Sequence, residues 1–184
     1  MKFIIHGGTL SRSLQSISSV VPSGRTMPIL LNFLMEVENE ELKITASDLE
    51  TTITVKLNPS MLEQDQVNKI AIPAKMFLEV VNSLSSQQIT VEVKENYSIE
   101  ITAGTGRYKL VGEDPASYPT AIELSDPALT TISSSVLVKA IGKTLFATGT
   151  GEMRPQMTGV LCEQTHNETI FVATDAHKLV KYTR

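Results

Sequence analysis

A shift of 127 residues lays the chain over itself. Pro28 falls on Pro155, and without a gap Leu34 falls on Leu161, Glu36 on Glu163, Glu41 on Glu168, Ala46 on Ala173 and Asp48 on Asp175. Carried backward, the same offset pairs Ile5 with Ile132 and Leu10 with Leu137. Self-similarity over such a stretch means that one supersecondary module recurs, so the fold must be built from copies of it. At 184 residues there is room for one ordinary domain and part of another.

The module can be read from hydrophobic period. Leu10, Leu14, Ile17 and Val21 recur at helical steps and predict a helix over Leu10–Val21, with Thr9 as N-cap and Pro22 as stop. A second helix should open at Pro73, a first-turn residue, and run to about Leu84 with Met76, Phe77, Val80, Val81 and Leu84 on one face. A third is expected from about Val136 to Thr148, capped by Ser134 or Ser135, with Leu137, Ile141 and Leu145 inward. Alternating runs at Phe33–Val37, Leu42–Ala46, Thr52–Leu57, Ile89–Lys94, Ser98–Ala103 and Arg107–Val111 read as antiparallel strands, joined by turn residues such as Glu38-Asn39-Glu40-Glu41 and Gly104-Thr105-Gly106.

The order is strand, helix, three strands, and then the same again. This predicts an α+β fold of tandem βαβββ units. The first copy uses about 120 residues for two such units, whereas only one fits between the Pro-, Asp-, Ser- and Ala-rich connector Glu113–Leu129 and Arg184. The expected division is a domain at 1–122, a linker at 123–129 and the first half of a second domain at 130–184. A lone βαβββ unit leaves a sheet face and a strand edge exposed, so the chain should be a fragment of a longer protein or be completed by a partner chain.

Several classes are excluded. Cys162 is the only cysteine, which rules out a disulfide framework and a Cys-rich zinc site and points to a reducing, cytoplasmic setting. No apolar run approaches the ~18 residues of a spanning helix, and the opening Met1-Lys2-Phe3-Ile4-Ile5 is too short for a signal peptide. No membrane, metal or cofactor is expected.

Gly142-Lys143-Thr144 resembles the end of a phosphate-binding loop, but position 137 is Leu inside the expected helix rather than the required glycine. Asp175 and His177, with Ser47 or Thr174 as nucleophile, invite a hydrolase reading. Against it, Asp48 echoes Asp175 in the other copy and is followed by Glu50 instead of His, the pattern of a structural Asx turn. His6 and His166 stand alone. The three helices carry Arg12, Lys75, Lys139 and Lys143 against Glu79, in a chain of net charge −4. Basic helix faces on an acidic protein suit a surface that passes close to phosphates, and scattered solvated lysines fit composition equally well. Small polar neighbours such as Ser16, Ser19 and Asn82 favour backbone contact over base readout.

The order and spacing of five motifs resemble one family: Met1-Lys2-Phe3, Met27-Pro28-Ile29-Leu30-Leu31-Asn32, Thr45-Ala46-Ser47-Asp48-Leu49-Glu50, Ile72-Pro73-Ala74-Lys75 and Ala173-Thr174-Asp175-Ala176-His177-Lys178-Leu179. Together they resemble the N-terminal half of the bacterial replicative sliding clamps, the beta subunits of DNA polymerase III. That resemblance implies the DNA clamp fold, with antiparallel sheets outside and helices lining the DNA-facing side. It also implies three such domains per full-length subunit, a homodimeric ring around duplex DNA, and a processivity role without catalysis. DNA-facing residues would be Arg12, Arg25, Lys75, Lys139, Lys143 and Arg154. A partner-peptide cleft would map onto Met157, Thr174, Ala176, His177, Lys178 and Leu179, with Ala176 where many relatives have Gly and Lys178 where many have Arg. Implied partners are the DNA polymerase III catalytic subunit, the clamp loader and other clamp-binding replication and repair proteins. The alternatives from other classes are a non-DNA scaffold of βαβββ repeats and the Asp175/His177 hydrolase.

Overall fold

The computed structural model describes residues 1–24, 27–63, 67–119, 129–151 and 153–184. Two compact units divide the chain, Met1–Glu123 and Leu124–Arg184.

In the first unit, strand β1 (Lys2–His6) runs directly into helix α1 (Gly7–Ser18). His6 makes that junction by keeping extended backbone and accepting the Gly8 N–H on its Nδ1 at 3.2 Å. The cap is therefore His6 rather than Thr9, because imidazole here does the work usually left to Ser, Thr, Asp or Asn. The helix also ends earlier than expected. Ser16 and Ser18 donate their hydroxyls to the Ser13 and Gln15 carbonyls, a competing bond that weakens a last turn. Leu10, Leu14 and Ile17 are fully buried, as the period predicts.

Next come β2 (Asn32–Glu38), β3 (Glu41–Ser47), β4 (Thr52–Leu57), β5 (Ser60–Glu63) and β6 (Lys69–Pro73). Helix α2 (Ala74–Ser83) follows, then β7 (Gln88–Val93), β8 (Ser98–Ala103) and β9 (Gly106–Val111). The strands pair antiparallel into two sheets, β5-β1-β7-β8-β9 and β4-β3-β2-β6. One apolar core joins both sheets to both helices, including Phe3, Phe33, Leu42, Phe77, Val91 and Ile101. Pro73 is the N-cap of α2 rather than its first-turn residue. The buried stripe of α2 is Ala74, Phe77, Val81 and Leu84, while Met76 is exposed. Met76 through Val81 is apolar except for Glu79, so period alone leaves the phase of this face open.

Gly7 fixes how closely α2's end approaches α1. A Cβ there would lie 2.1 Å from the Leu84 carbonyl oxygen, and the Gly7 N–H donates to the Gln87 oxygen at 2.9 Å. Charges tie neighbouring strands of the four-stranded sheet: Lys69 to Glu36 at 2.9 Å, Lys43 to Glu38, and Lys56 to Glu41 at 3.0 Å.

The second unit holds helix α3 (Ser134–Thr144), 3-10 turns at Leu145–Ala147 and Pro155–Met157, and strands β10 (Leu161–Gln164), β11 (Thr169–Thr174) and β12 (Leu179–Thr183). Its N-cap is Ser133 rather than Ser134 or Ser135. Register follows the repeat. Leu34 opposes Thr45 as Leu161 opposes Val172, and Ala46 opposes Ile53 as Ala173 opposes Val180. The strand that the repeat implies around Ile132 does not form. β1 is held between β5 and β7, and among the described residues the second unit's sheet consists of β10, β11 and β12. The inward face expected for α3 is also displaced: Ala140 and Thr144 are buried, whereas Ile141 and Leu145 are 38% and 53% exposed.

Candidate functional site

Cations sort by the element that carries them. On and beside the sheets, Lys2 pairs with Glu92, Lys43 with Glu38, Lys56 with Glu41, Lys69 with Glu36, and Lys94 and Arg107 with Glu100. Such rungs follow from register, because cross-strand neighbours of opposite sign sit within reach of each other. Lys109 and Lys181 are strand cations outside this scheme. The helices differ throughout. Arg12, Lys75, Lys139 and Lys143 are all exposed, and among the described residues none of them forms an ion pair. Arg12 donates Nε to its own helix at the Gly8 oxygen, 3.2 Å away, and Lys143 lies 5.8 Å from the centre of the Tyr182 ring. Arg154, in the loop after α3, is likewise exposed and forms no ion pair among the described residues. Arg25 lies outside the described residues. Asn82 is less free than its exposure suggests, since its Oδ1 accepts from Ser11 and from Gln15 of α1.

The segment 174–179 is a tight hairpin turn between β11 and β12. Asp175 Oδ1 accepts the N–H of His177 at 3.0 Å and of Lys178 at 2.8 Å, while Lys178 Nζ reaches Oδ2 at 2.8 Å. Thr174 Oγ1 donates to the Lys178 oxygen and accepts from the Ala176 N–H. Ala176 is left-handed, φ +75°. The Lys178 ammonium, then the Lys178 and His177 N–H groups, hold the Asp175 carboxyl well below the usual carboxylate range. The backbone bonds to the carboxylate and the left-handed residue recur 127 residues earlier, where Asp48 Oδ1 takes the N–H of Glu50 and Thr51, Leu49 has φ +79° and Ser47 Oγ takes the Leu49 N–H, though Ser47 Oγ also bonds the Thr52 hydroxyl where Thr174 Oγ1 donates to the Lys178 oxygen. Asp175 is thus occupied by its own turn and by Lys178, with no bond to the His177 imidazole, so the pair is not arranged as an acid–base dyad. Thr144 of the Gly-Lys-Thr sequence is equally committed, its hydroxyl bound to the Ala140 oxygen inside α3. Among the described residues no His, Cys, Asp and Glu cluster could hold a metal ion, and no helix is long and apolar enough to cross a membrane.

Beside this turn lies a concavity of about 570 Å³ lined by residues 148–151, Met153, Arg154, Met157, Asp175 and Lys178. The Gly149 N–H donates to the Met157 oxygen at 2.8 Å and closes the loop over it. Of the residues expected in the peptide cleft, Met157 and Lys178 line this concavity. Thr174 and Leu179 oppose each other at the base of the hairpin, Leu179 being 67% exposed, and Ala176 and His177 sit at its exposed tip. Arg154, expected on DNA, shares the concavity with Met157. The contribution of Gly149 and Gly151 to this concavity carries no signal in the sequence reading above.

Residues 1–122 match the family described as DNA polymerase III beta subunit, N-terminal domain, and residues 131–183 its central domain. The beta sliding clamp of Staphylococcus aureus is 29% identical over 184 residues, 97% of this chain and 49% of that protein. The crystal structure of the DNA polymerase III subunit beta from Pseudomonas aeruginosa superposes with a TM-score of 0.89 at 29% identity, covering 100% of this chain and 50% of that one. The DNA polymerase sliding clamp from Bacillus subtilis gives 0.88 at 28% identity, again covering 100% and 50%. The chain thus spans about half the length of the relatives it matches.

Proposed function

Because the chain belongs to the DNA polymerase III beta subunit family, we propose that it is the N-terminal part of a ring-shaped sliding clamp, a cytoplasmic processivity factor that encircles duplex DNA and tethers the replicative polymerase. Residues 1–122 form its first domain and 130–184 the first half of its second, with 123–129 between them. The observation that carries this reading is the segregation of charge: sheet cations are largely neutralised by carboxylates, while those on helices are left for an external anion. Phosphate contacts of this kind attract a duplex without reading its sequence. A few long, exposed side chains with no carboxylate partner among the described residues give an attraction that moves with the backbone, which is what sliding needs.

Arg12, Arg25, Lys75, Lys139, Lys143 and Arg154 are the proposed DNA-facing residues. The clamp itself performs no chemistry, and the full-length subunit works as a homodimer opened by a clamp loader. Polymerase and other clamp users would dock a short linear peptide against Met157, Thr174, Ala176, His177, Lys178 and Leu179, with flexible Met157 accepting an apolar anchor.

Duplex binding followed by fluorescence anisotropy against salt tests the first part. Reversing Arg12, Lys75, Lys139 and Lys143 to Glu should abolish binding and its salt slope while leaving folding stability within about 1 kcal/mol, since exposed charges contribute little. Binding unchanged by the four reversals, or absent at every salt concentration as a plain scaffold would require, would sink the assignment. For the peptide, Leu179→Ala should weaken binding about ten- to thirtyfold in the full-length clamp and leave DNA encirclement intact.

A further inference from the structure

Leu49 breaks two rules at once. Its φ of +79° is a conformation that penalises every side chain and that glycine adopts freely. Its side chain is 62% exposed, so the strained backbone is not repaid by burial. A bulky apolar residue held in such a state points to a task outside the fold. Together with Pro22, Gly24, Met27, Leu30 and Asp48 it lines a concavity of about 250 Å³. Shifted by the repeat, Pro22, Gly24, Met27, Leu30 and Asp48 become Gly149, Gly151, Arg154, Met157 and Asp175, all of which line the concavity of the second unit.

Among the described residues the two concavities differ in charge. Where the second carries Arg154 and Lys178, the first has Met27 and Thr51. Asp48 spends Oδ1 on its turn, forms no ion pair among the described residues, and has exposed Glu50 close by. The volume is below that of ordinary small-molecule sites and is suited to one large side chain.

We propose that this concavity of the first unit is a second docking site, for a short linear peptide that places one large apolar anchor against Leu49 and Met27 and a Lys or Arg beside Asp48. The choice of a peptide rests on the reading of the Met157 concavity; the strain and the charge are independent of it.

Two fluorescein-labelled peptides, Gly-Lys-Leu-Phe-Lys-Gly and Gly-Asp-Leu-Phe-Asp-Gly, titrated with the 184-residue chain, decide the matter. The lysine peptide should bind, and Leu49→Gly should weaken it roughly tenfold while raising the melting temperature, because glycine relieves the left-handed strain. Asp48→Asn keeps the Oδ1 acceptor of the turn, removes the charge, and should weaken it about threefold. Lysine-peptide binding that is absent or indifferent to either variant overturns the proposal, as does a Leu49→Gly protein that melts lower. Self-association lost in Leu49→Gly also overturns it, since the occupant would then be a second copy. Failure of the Met157 reading would show separately, as aspartate-peptide binding indifferent to Met157→Ala while the lysine arm holds.

Discussion

Leu10 and Leu14 of α1 and Leu137 and Ile141 of α3 occupy the same positions of the repeat, yet the first pair is fully buried while Leu137 is half-buried and Ile141 exposed. The turns after β3 and β11, in contrast, agree in both backbone bonds that the aspartate accepts. Turn geometry is written in the four or five residues that make it. Burial is supplied by a neighbour. In the first unit α2 and its strands cover α1; the second unit has no such helix among its described residues, so its repeat of the same apolar letters faces outward.

The contrast is broken or kept by truncating its two ends. Leu14→Ala should cost about 3–5 kcal/mol, a transfer loss plus a cavity, whereas Ile141→Ala should cost about 1 kcal/mol or less. Urea unfolding of each variant measures the difference, and equal costs would mean that α3 is covered in solution. An alkaline titration separates the units next. Burial pushes the Tyr118 phenol up to about 12, its hydroxyl lying under the Asn32 and Thr45 oxygens. The unfolded phenol ionises first, so stability of the first unit should be complete below pH ~10 and fall towards pH 12 by up to about 1.4 kcal/mol per pH unit. Tyr118→Phe should flatten that limb, as thermal melts across the range would register.

The acid side belongs to the second unit. With the Asp175 carboxyl lowered in the folded state, its contribution is present above pH ~4 and is lost as pH falls through the lower folded value. Asp175→Asn preserves the turn's acceptor and should remove this acid dependence in a pH series of circular dichroism melts. The smallest effect expected is from Ala176→Gly, which should stabilise by about 0.5–1 kcal/mol, the left-handed relief less the added freedom of the unfolded chain. Destabilisation there would mean that the Ala176 methyl packs on something.

Much of this was legible beforehand because it depends on letters close together. The repeat gave the register of β2 to β4 and of β10 to β12, and Asp48 and Asp175 announced their turns. What escaped depends on distance in sequence. The phase of α2 is set by which of several apolar residues meets the sheets, so Met76 could not be told from Phe77. Strands β5 and β6 were not separately discernible between Leu57 and Pro73, and His6 capping needs a geometry its residue type does not advertise. The concavity beside Met157 depends on the loop carrying Gly149 folding back through its bond to the Met157 oxygen, a contact across eight residues without regular period. The first-unit concavity was within reach, since the offset that aligns Asp48 with Asp175 also aligns Leu30 with Met157.

The charged rungs of the four-stranded sheet bear on how such a chain reaches its native pairing. Two hairpins with one register are interchangeable templates, and covalently linked repeats are prone to exchange strands as they fold. If β11 took the place of β3 beside β2, Glu36 would face Ile170 instead of Lys43; beside β4, Lys56 would face Ile170 too. The Lys43–Glu38 contact would be forfeited, because Ile170 stands where Lys43 does, whereas Glu168 would still offer Lys56 the carboxylate that Glu41 supplies. Charges worth little to the finished fold therefore discriminate against a crossed one, and folding fidelity rather than stability is what they secure.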